Sequence, residues 1–309
     1  MVAKIVVVKG CSRRVRCASL GATVTIVPTA FSLAYRLATV LSIANFNMHC
    51  GMDGWGRRYD YVAAIAALNA DIVVLEETWT ADGDADGQAE RVGRDLGYQV
   101  VAHSIGEGRR IGPQPDADDR WIAQPSMRDR NRALYMDGVR PVNRGVQSLT
   151  RWQEAETGSM GIAVLVRAEL PIEANRVLEL RLLKADRMRR AAIVVDVTID
   201  DRPISVAGIH MSHLLYGSPR HFAELRRRLR TEARPDAVLA GDMNSWGPPV
   251  RFFMRGWRRA VIGRSWPSWR PHSQIDHILV RGAVRPLAGV VFPHSGSDHR
   301  PIRAELAIG

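Results

Sequence analysis

Apolar residues in this chain come in short runs, and several of these runs stop at a polar residue capable of chemistry. Residues 38–46 mix apolar and β-branched side chains, which predicts a strand that delivers Asn47 at its end. Residues 59–68 have helical spacing, with Tyr61, Ile65 and Leu68 able to share a face. Residues 71–75 form a short apolar run typical of a buried strand, ending at Glu76-Glu77. A loop entering a helix is expected over 81–96, followed by a short strand at 98–101. Strands return over 160–166, 191–199 and 204–209, with Asp200-Asp201-Arg202-Pro203 as the hairpin turn between the last two. Residues 222–229 read as a helix whose basic side carries Arg226, Arg227 and Arg228, with Arg230 just beyond. A solvated helix face is the plainest reading of that run. Strands over 237–240, 278–280, 289–292 and 302–307 complete the set.

Strands outnumber helices and arrive in consecutive pairs. This favours an α/β fold of two packed, antiparallel or mixed sheets with helices outside, over a regularly alternating parallel sheet. Beyond residue 101 the chain turns polar and Arg-rich to about residue 157, with many Gly, Pro and Asp. So long an irregular stretch is either a substrate-gripping surface or a solvated insertion.

At 309 residues and 46% hydrophobic content, the chain can bury one large core or two modest ones. It shows no repeat and no Pro- or Ser-rich linker, so the expected organisation is an N-terminal extension over 1–37 and one domain over 38–309. The formal charge of +11 favours anionic partners such as phosphate esters or nucleic acid. Only Lys4, Lys9 and Lys184 are lysines. The positive charge is therefore mostly arginine, which coding bias in a GC-rich genome would also produce. Cys11, Cys17 and Cys50 have neither CxxC nor zinc-site spacing, and they make no disulfide framework. That fits a reducing, cytoplasmic compartment.

The first residues offer the alternative. Residues 17–35 carry no charged side chain, and Lys4, Lys9, Arg13, Arg14 and Arg16 precede them. This is the layout of an export signal, with small residues at Ser32-Leu33-Ala34. Pro28 and several hydroxyl residues dilute the run below a clear membrane span.

Six polar stations carry the candidate chemistry. Asn47 and Glu77 bring an amide and a carboxylate to strand ends, hard oxygen donors of the kind Mg²⁺ prefers. His210 ends a strand, where it can steady charge on a phosphate oxygen or protonate a leaving group. Asp242 and Asn244 flank Met243, and strand alternation puts both on one side, suited to orienting and deprotonating a water. Asp276 begins a strand and can fix the tautomer of His299. Asp298, beside that histidine, can reach a metal ion. His213 and His221 read as structural. Each station alone is an ordinary strand-end or turn residue; their joint order is the signal.

Gly241-Asp242-Met243-Asn244 and Ser297-Asp298-His299-Arg300-Pro301, with Ile275-Asp276-His277-Ile278 and Glu76-Glu77, resemble the endonuclease/exonuclease/phosphatase superfamily. Matching segments run from Leu41 to Leu306. The resemblance implies a four-layer sandwich of two packed mixed β-sheets flanked by helices, and Mg²⁺- or Mn²⁺-dependent hydrolysis of phosphoesters by in-line water attack. It makes Asn47, Glu77 and Asp298 the metal-side residues, and His210, Asp242, Asn244, Asp276 and His299 the catalytic ones. Whether Asp242 or His299 takes the proton stays open. The family usually has Gln-Glu where this chain has Glu76-Glu77, and the match selects Glu77 as the ligand.

The substrate is less constrained. Between Asp242 and Asp276, Trp246, Trp257, Trp266 and Trp269 are interleaved with arginines, as in single-strand binders; core and loop packing explains the same tryptophans equally well. The insertion typical of abasic-site repair nucleases is missing. On charge, a nuclease-type phosphodiesterase is preferred to a phosphatase or a sphingomyelinase-like enzyme. A non-catalytic binding module on the same fold would not need all six stations.

Overall fold

The computed structural model describes residues 39–53, 58–111, 134–136, 155–183, 186, 189–213 and 218–309. The signal-like segment and most of the Arg-rich stretch lie outside these residues. The described residues belong to one compact unit, Thr39–Gly309.

The chain opens with the strand β1 (Thr39–Asn47), helix α1 (Tyr61–Ala66) and strand β2 (Ile72–Ala81). Helix α2 (Gln88–Leu96) leads into the long hairpin β3 (Tyr98–Ile111) and β5 (Ala155–Arg167), with β4 (Leu134–Met136) beside β3. Next come β6 (Ile172–Glu179), β7 (Ala191–Ile199) and β8 (Arg202–His210), then helix α3 (Ser218–Glu232) and β9 (Ala237–Asp242). Helix α4 (Gly247–Phe253), β10 (Arg258–Arg259), β11 (Asp276–Arg281), β12 (Arg285–Val291) and β13 (Ile302–Ile308) finish the fold.

Two sheets result. One has seven strands in the order β12-β13-β1-β2-β5-β3-β4, the other six in the order β10-β11-β9-β8-β7-β6. Both are mixed, because β1–β2 and β8–β9 pair in parallel while the other pairs are antiparallel. A parallel pair needs a crossover, and α1 and α3 supply one each. Alternation along the strands then sorts the side chains. One face of each sheet meets the other sheet through residues such as Ile43, Val74 and Val164 against Val195, Val206 and Ile278. The opposite face of the seven-stranded sheet packs Ile65 of α1, Leu68 just after it, and Val92 of α2. That of the six-stranded sheet packs Phe222, Leu225 and Leu229 of α3 and Val250 of α4. The expected four-layer α/β sandwich is what forms. No described helix is long and apolar enough to cross a membrane.

The structure departs from the sequence-based expectations in several places, among them the short strands β4 and β10 and the earlier starts of β5 and β12. β2 does not end at Glu76-Glu77 but continues to Ala81 through a bulge. β3 extends to Ile111, ten residues past the short strand expected at 98–101, because β5 pairs with it along its length. Unexpected, too, was β6, an edge strand with mostly exposed side chains. Helix α4 was not expected either; it follows Trp246 with Pro in its first turn, which suits a helix start. The Asp200-Asp201 turn is a two-residue hairpin, with both residues at positive φ (46° and 62°) as a type I′ turn requires.

Candidate active site

Strand register brings the stations to one edge of the sandwich. Asn47, the last residue of β1, pairs with Glu76 of β2. His210 pairs with Asp242 across the parallel β8–β9 ladder, and Asp242 pairs with Asp276 across the antiparallel β9–β11 ladder. β13 runs antiparallel to β1, Ile302 opposite Asn45, so the Ser297–Arg300 loop enters at the same edge.

Glu77 gets there by a local distortion. Glu76 faces Ile162 and Thr78 faces Gly161, so Glu77 is the extra residue of a β-bulge, at φ +51°. Before the bulge Ile72 and Val74 face the inter-sheet core; after it Trp79 does. Glu77 sits where the alternation switches. Its neighbour Glu76 is wholly buried beside Asn45, whose Nδ2 donates to Glu76 Oε1 at 2.5 Å. Burial, and then the charges of Asp276 and Asp242, push the Glu76 carboxyl well above the usual carboxylate range.

Asp242 is the centre of the cluster. Its Oδ2 accepts from Asn47 Nδ2 at 3.1 Å and lies 3.7 Å from His210 Nε2 and 3.9 Å from His299 Nε2. Its Oδ1 accepts from the Asn244 backbone N–H at 2.8 Å, while Asn244 Nδ2 is tied to Met211 O at 2.9 Å. Asn244, at φ +47°, thus holds the Asp242 carboxylate from below as well as standing beside it. Gly241 prepares the turn: a Cβ there would lie 1.8 Å from Ile209 O, and its φ is +156°. Met243 turns away into the helix-covered core.

His299 is fixed by Asp276, whose two oxygens lie 3.0 and 3.1 Å from Nδ1. Its Nε2 therefore faces Asp242 and Asp298, each at 3.9 Å. His210 Nε2 lies 3.7 Å from both Glu77 Oε1 and Asp242 Oδ2, and its buried Nδ1 has no hydrogen-bond partner among the described residues.

These surroundings set distinct protonation states. Burial raises Asp242 to about 7 against the opposing pull of His299, with Asp276 adding to the rise. Burial alone would lower His299, but Asp276, Asp298 and Asp242 outweigh it and hold the imidazolium well above its ordinary range. Burial, with the charges of Arg190 and His299, keeps His210 neutral.

Four carboxylates (Glu77, Asp242, Asp276 and Asp298) meet one imidazolium in a largely buried pocket, an excess of negative charge that a divalent cation would offset. Two groups are tight enough to share an ion: Glu77 with His210 and Asp242, and Asp242 with Asp276 and His299. Asn47 presents its amide nitrogen to both Glu77 and Asp242, while its oxygen accepts from the His49 N–H at 3.0 Å. Asp298 faces His299 and the His49 ring, and its Oδ2 accepts from the Trp266 indole N–H at 3.3 Å.

All eight candidate residues are brought together. Sequence reasoning missed the supporting set. Ser297 Oγ donates to Asn47 O and accepts from the His299 N–H, linking the first station to the last. Tyr59 donates to Met48 O, and its ring fills the space a Cβ on Gly296 would take. Trp266 holds Asp298. Ser297 stands inside a motif with no role assigned to it, and Tyr59 and Trp266 carry no sequence signal for the contacts they make. His221, expected to be structural, is buried between Ser212 Oγ and Arg181 O. His277, next to Asp276, points to Ser245 O, and burial lowers it to about 4.

Known structures share the fold. An endonuclease/exonuclease/phosphatase from Beutenbergia cavernae is 19% identical, with a TM-score of 0.56 over 87% of this chain and 72% of that one. The human Nocturnin catalytic domain, solved with bound sulfate, is 13% identical, with a TM-score of 0.56 over 87% of this chain and 94% of that one. A mannosyl-6-phosphatase from Bacteroides thetaiotaomicron is 12% identical, with a TM-score of 0.57 over 87% of this chain and 100% of that one. No curated protein matches the chain. The model of the Endonuclease/Exonuclease/phosphatase family matches residues 44–299, a span that contains all eight converging side chains, and the chain belongs to that family.

Proposed function

We propose that this protein is a Mg²⁺- or Mn²⁺-dependent phosphodiesterase that cleaves nucleic acid strands by in-line attack of water. The observation that carries the reading is the convergence on Asp242 Oδ2 of Asn47, His210 and His299, with Glu77 against the first two.

Glu77 and Asp298 are the residues that would hold the cation, with Asn47 once its amide turns to bring Oδ1 where Nδ2 now lies. A hard cation there would neutralise charge on the phosphoryl oxygens and the leaving oxygen. The protein's own groups divide the remaining work. Asp242, its Oδ1 held by the Asn244 N–H, turns Oδ2 toward the centre of the cluster, orients the attacking water and takes its proton. His299, kept as an imidazolium and aimed by Asp276, donates from Nε2 to a non-bridging phosphate oxygen. Neutral His210 presents Nε2 beside the same oxygen of Asp242 and steadies charge as it develops.

The strand preference rests on the +11 charge and the arginines and tryptophans between Asp242 and Asp276. A phosphomonoesterase is the second reading, favoured by the likeness to a mannosyl-6-phosphatase. A screen with Mg²⁺ and Mn²⁺ over single- and double-stranded DNA, RNA, sphingomyelin, inositol phosphates and sugar phosphates separates them. Activity on strands, abolished by EDTA and lost in Asp242→Ala and His299→Ala, is the expected result. Undiminished activity in both variants would remove the proposed site.

A further inference from the structure

A second basic feature lies on the helical layer outside the six-stranded sheet. A cavity of about 310 Å³ is lined by Arg226, Arg230, Arg255, Arg281 and Trp257. A neighbouring cavity of about 350 Å³ shares Trp257 and adds Arg251, Arg258 and Arg259. No carboxylate lines either one, and none of these seven arginines has a carboxylate partner among the described residues.

The arrangement is partly rigid. Arg281 stacks 4.9 Å above the Trp257 ring and donates to the carbonyls of Leu229, in the last turn of α3, and of Ala233 and Arg234 just after it. Those acceptors satisfy hydrogen bonds but leave its charge in place. Asp236, the carboxylate whose charge acts on Arg281, is engaged by the Ala283 N–H. Arg226 Nε and Arg281 Nε are buried with no acceptor. Coding bias explains how many arginines the chain has, not where counter-ions are withheld. Elsewhere arginines such as Arg176, Arg190 and Arg234 sit against carboxylates. Like charges gathered with Asp236 acting on one of them repel one another, and an anion that fills the space between them offsets that repulsion.

The position narrows the ligand. Arg281 lies five residues along β11 from Asp276, about 17 Å at about 3.4 Å per residue, so this surface is separate from the catalytic centre. It begins near that centre, because the Arg259 guanidinium occupies the place of a Gly247 side chain, three residues beyond Asn244. Half-exposed Trp246 and exposed Phe252 stand along the same segment. Positive charge spread over two cavities, with aromatic surface between, fits a ligand of repeating negative charge better than one phosphate.

We propose that these two cavities form an accessory binding surface for the sugar-phosphate backbone of a single-stranded nucleic acid, guiding it to or from the catalytic centre. The proposal rests on the strand-cleaving reading above. The full-length chain in EDTA, which blocks cleavage, is titrated with a fluorescent oligodeoxythymidylate over a range of sodium chloride concentrations. Arg230 and Arg255 are both exposed, so Arg230→Glu/Arg255→Glu should fold. This variant should bind about tenfold more weakly, with a salt slope lower by about 1.4, from about 0.7 per lost phosphate contact on a single strand. Arg230→Lys/Arg255→Lys should stay close to wild type, and both variants should hydrolyse a small generic phosphodiester at the wild-type rate in Mg²⁺. Arg230→Gln alone keeps the test open should the double reversal not fold. Unchanged affinity and salt slope would overturn the proposal. So would binding to phosphatidylserine vesicles that depends on these arginines while oligonucleotide binding does not, which would make the surface a membrane contact. Failure of the catalytic reading looks different: wild-type protein that does not hydrolyse the small diester, whatever it binds.

Discussion

Asp276 grips His299 through both carboxylate oxygens, 3.0 and 3.1 Å from Nδ1, although the two residues belong to different strands' margins. That contact decides which imidazole nitrogen faces the site. It also supplies the largest of the charges that keep His299 protonated. Asp276→Asn should therefore lower kcat by about 10²–10⁴-fold, the range for a mispositioned acid–base group, with little change in KM for a small diester. The remaining variant should lose its imidazolium at lower pH. NMR titration of the His299 ring, and an alkaline limb of the rate profile shifted to lower pH, check this.

Asp242 makes a prediction about pH and stability. Its folded-state pKa is raised from 3.8 to about 7 by burial. Between those values the folded chain binds more protons at this position than the unfolded chain, so the contribution of Asp242 to stability falls as pH rises. Asp242→Asn removes the effect. In EDTA the variant should gain stability relative to wild type as pH rises from about 4 to about 7 and hold a constant difference above that. Thermal melts across the pH range measure it; a difference that does not vary with pH would contradict the buried position.

Much of this could be read in the chain itself. The stations stand out because each lies at the margin of an apolar run that the sandwich uses as a strand, and β-ladder register then carries Asn47, His210, Asp242 and Asp276 to one edge. The choice of Glu77 over Glu76 as the candidate ligand was legible only by motif. The direction of Glu77 comes from a bulge, and a bulge is a property of two paired strands rather than of one. β6 escaped notice because an edge strand that covers little core need not alternate. Ser297, Tyr59 and Trp266 were silent for a related reason, since each acts on a residue distant in sequence.

Glu77 and its bulge predict a metal phenotype. Glu77→Gln keeps the shape and removes the charge that the two carboxylates present together. The Mg²⁺ concentration for half-maximal activity should rise by about 10–100-fold while activity at saturating Mg²⁺ partly recovers. Activity titrated against free Mg²⁺ reads both quantities. An unchanged midpoint would place the ion elsewhere.

Gly296 tests the wall of the site. Its φ is +107°, and a Cβ would lie 2.1 Å from the Tyr59 ring. Gly296→Ala must either displace Tyr59, which holds Met48 O, or strain the loop that carries Asp298 and His299. A loss of about 1–3 kcal/mol is expected from the backbone strain alone. Urea unfolding measures it, and Tyr59→Ala in the same background should relieve part of the steric loss.

Trp266 and Asp298 can be separated by a double-mutant cycle. The indole N–H donates to Asp298 Oδ2 at 3.3 Å, and Asp298 in turn lies 3.9 Å from His299 Nε2. If Trp266 acts by aiming that carboxylate, Trp266→Phe should reduce kcat less than Asp298→Asn does. The double variant should then be no slower than Asp298→Asn alone, because a positioning contact has no value once its target is gone. Additive losses would instead give Trp266 its own contact with substrate. Titrating each variant with Mg²⁺ adds a second readout: a raised midpoint in Asp298→Asn marks Asp298 as a metal-side residue, whereas a fall in kcat at an unchanged midpoint confines it to His299.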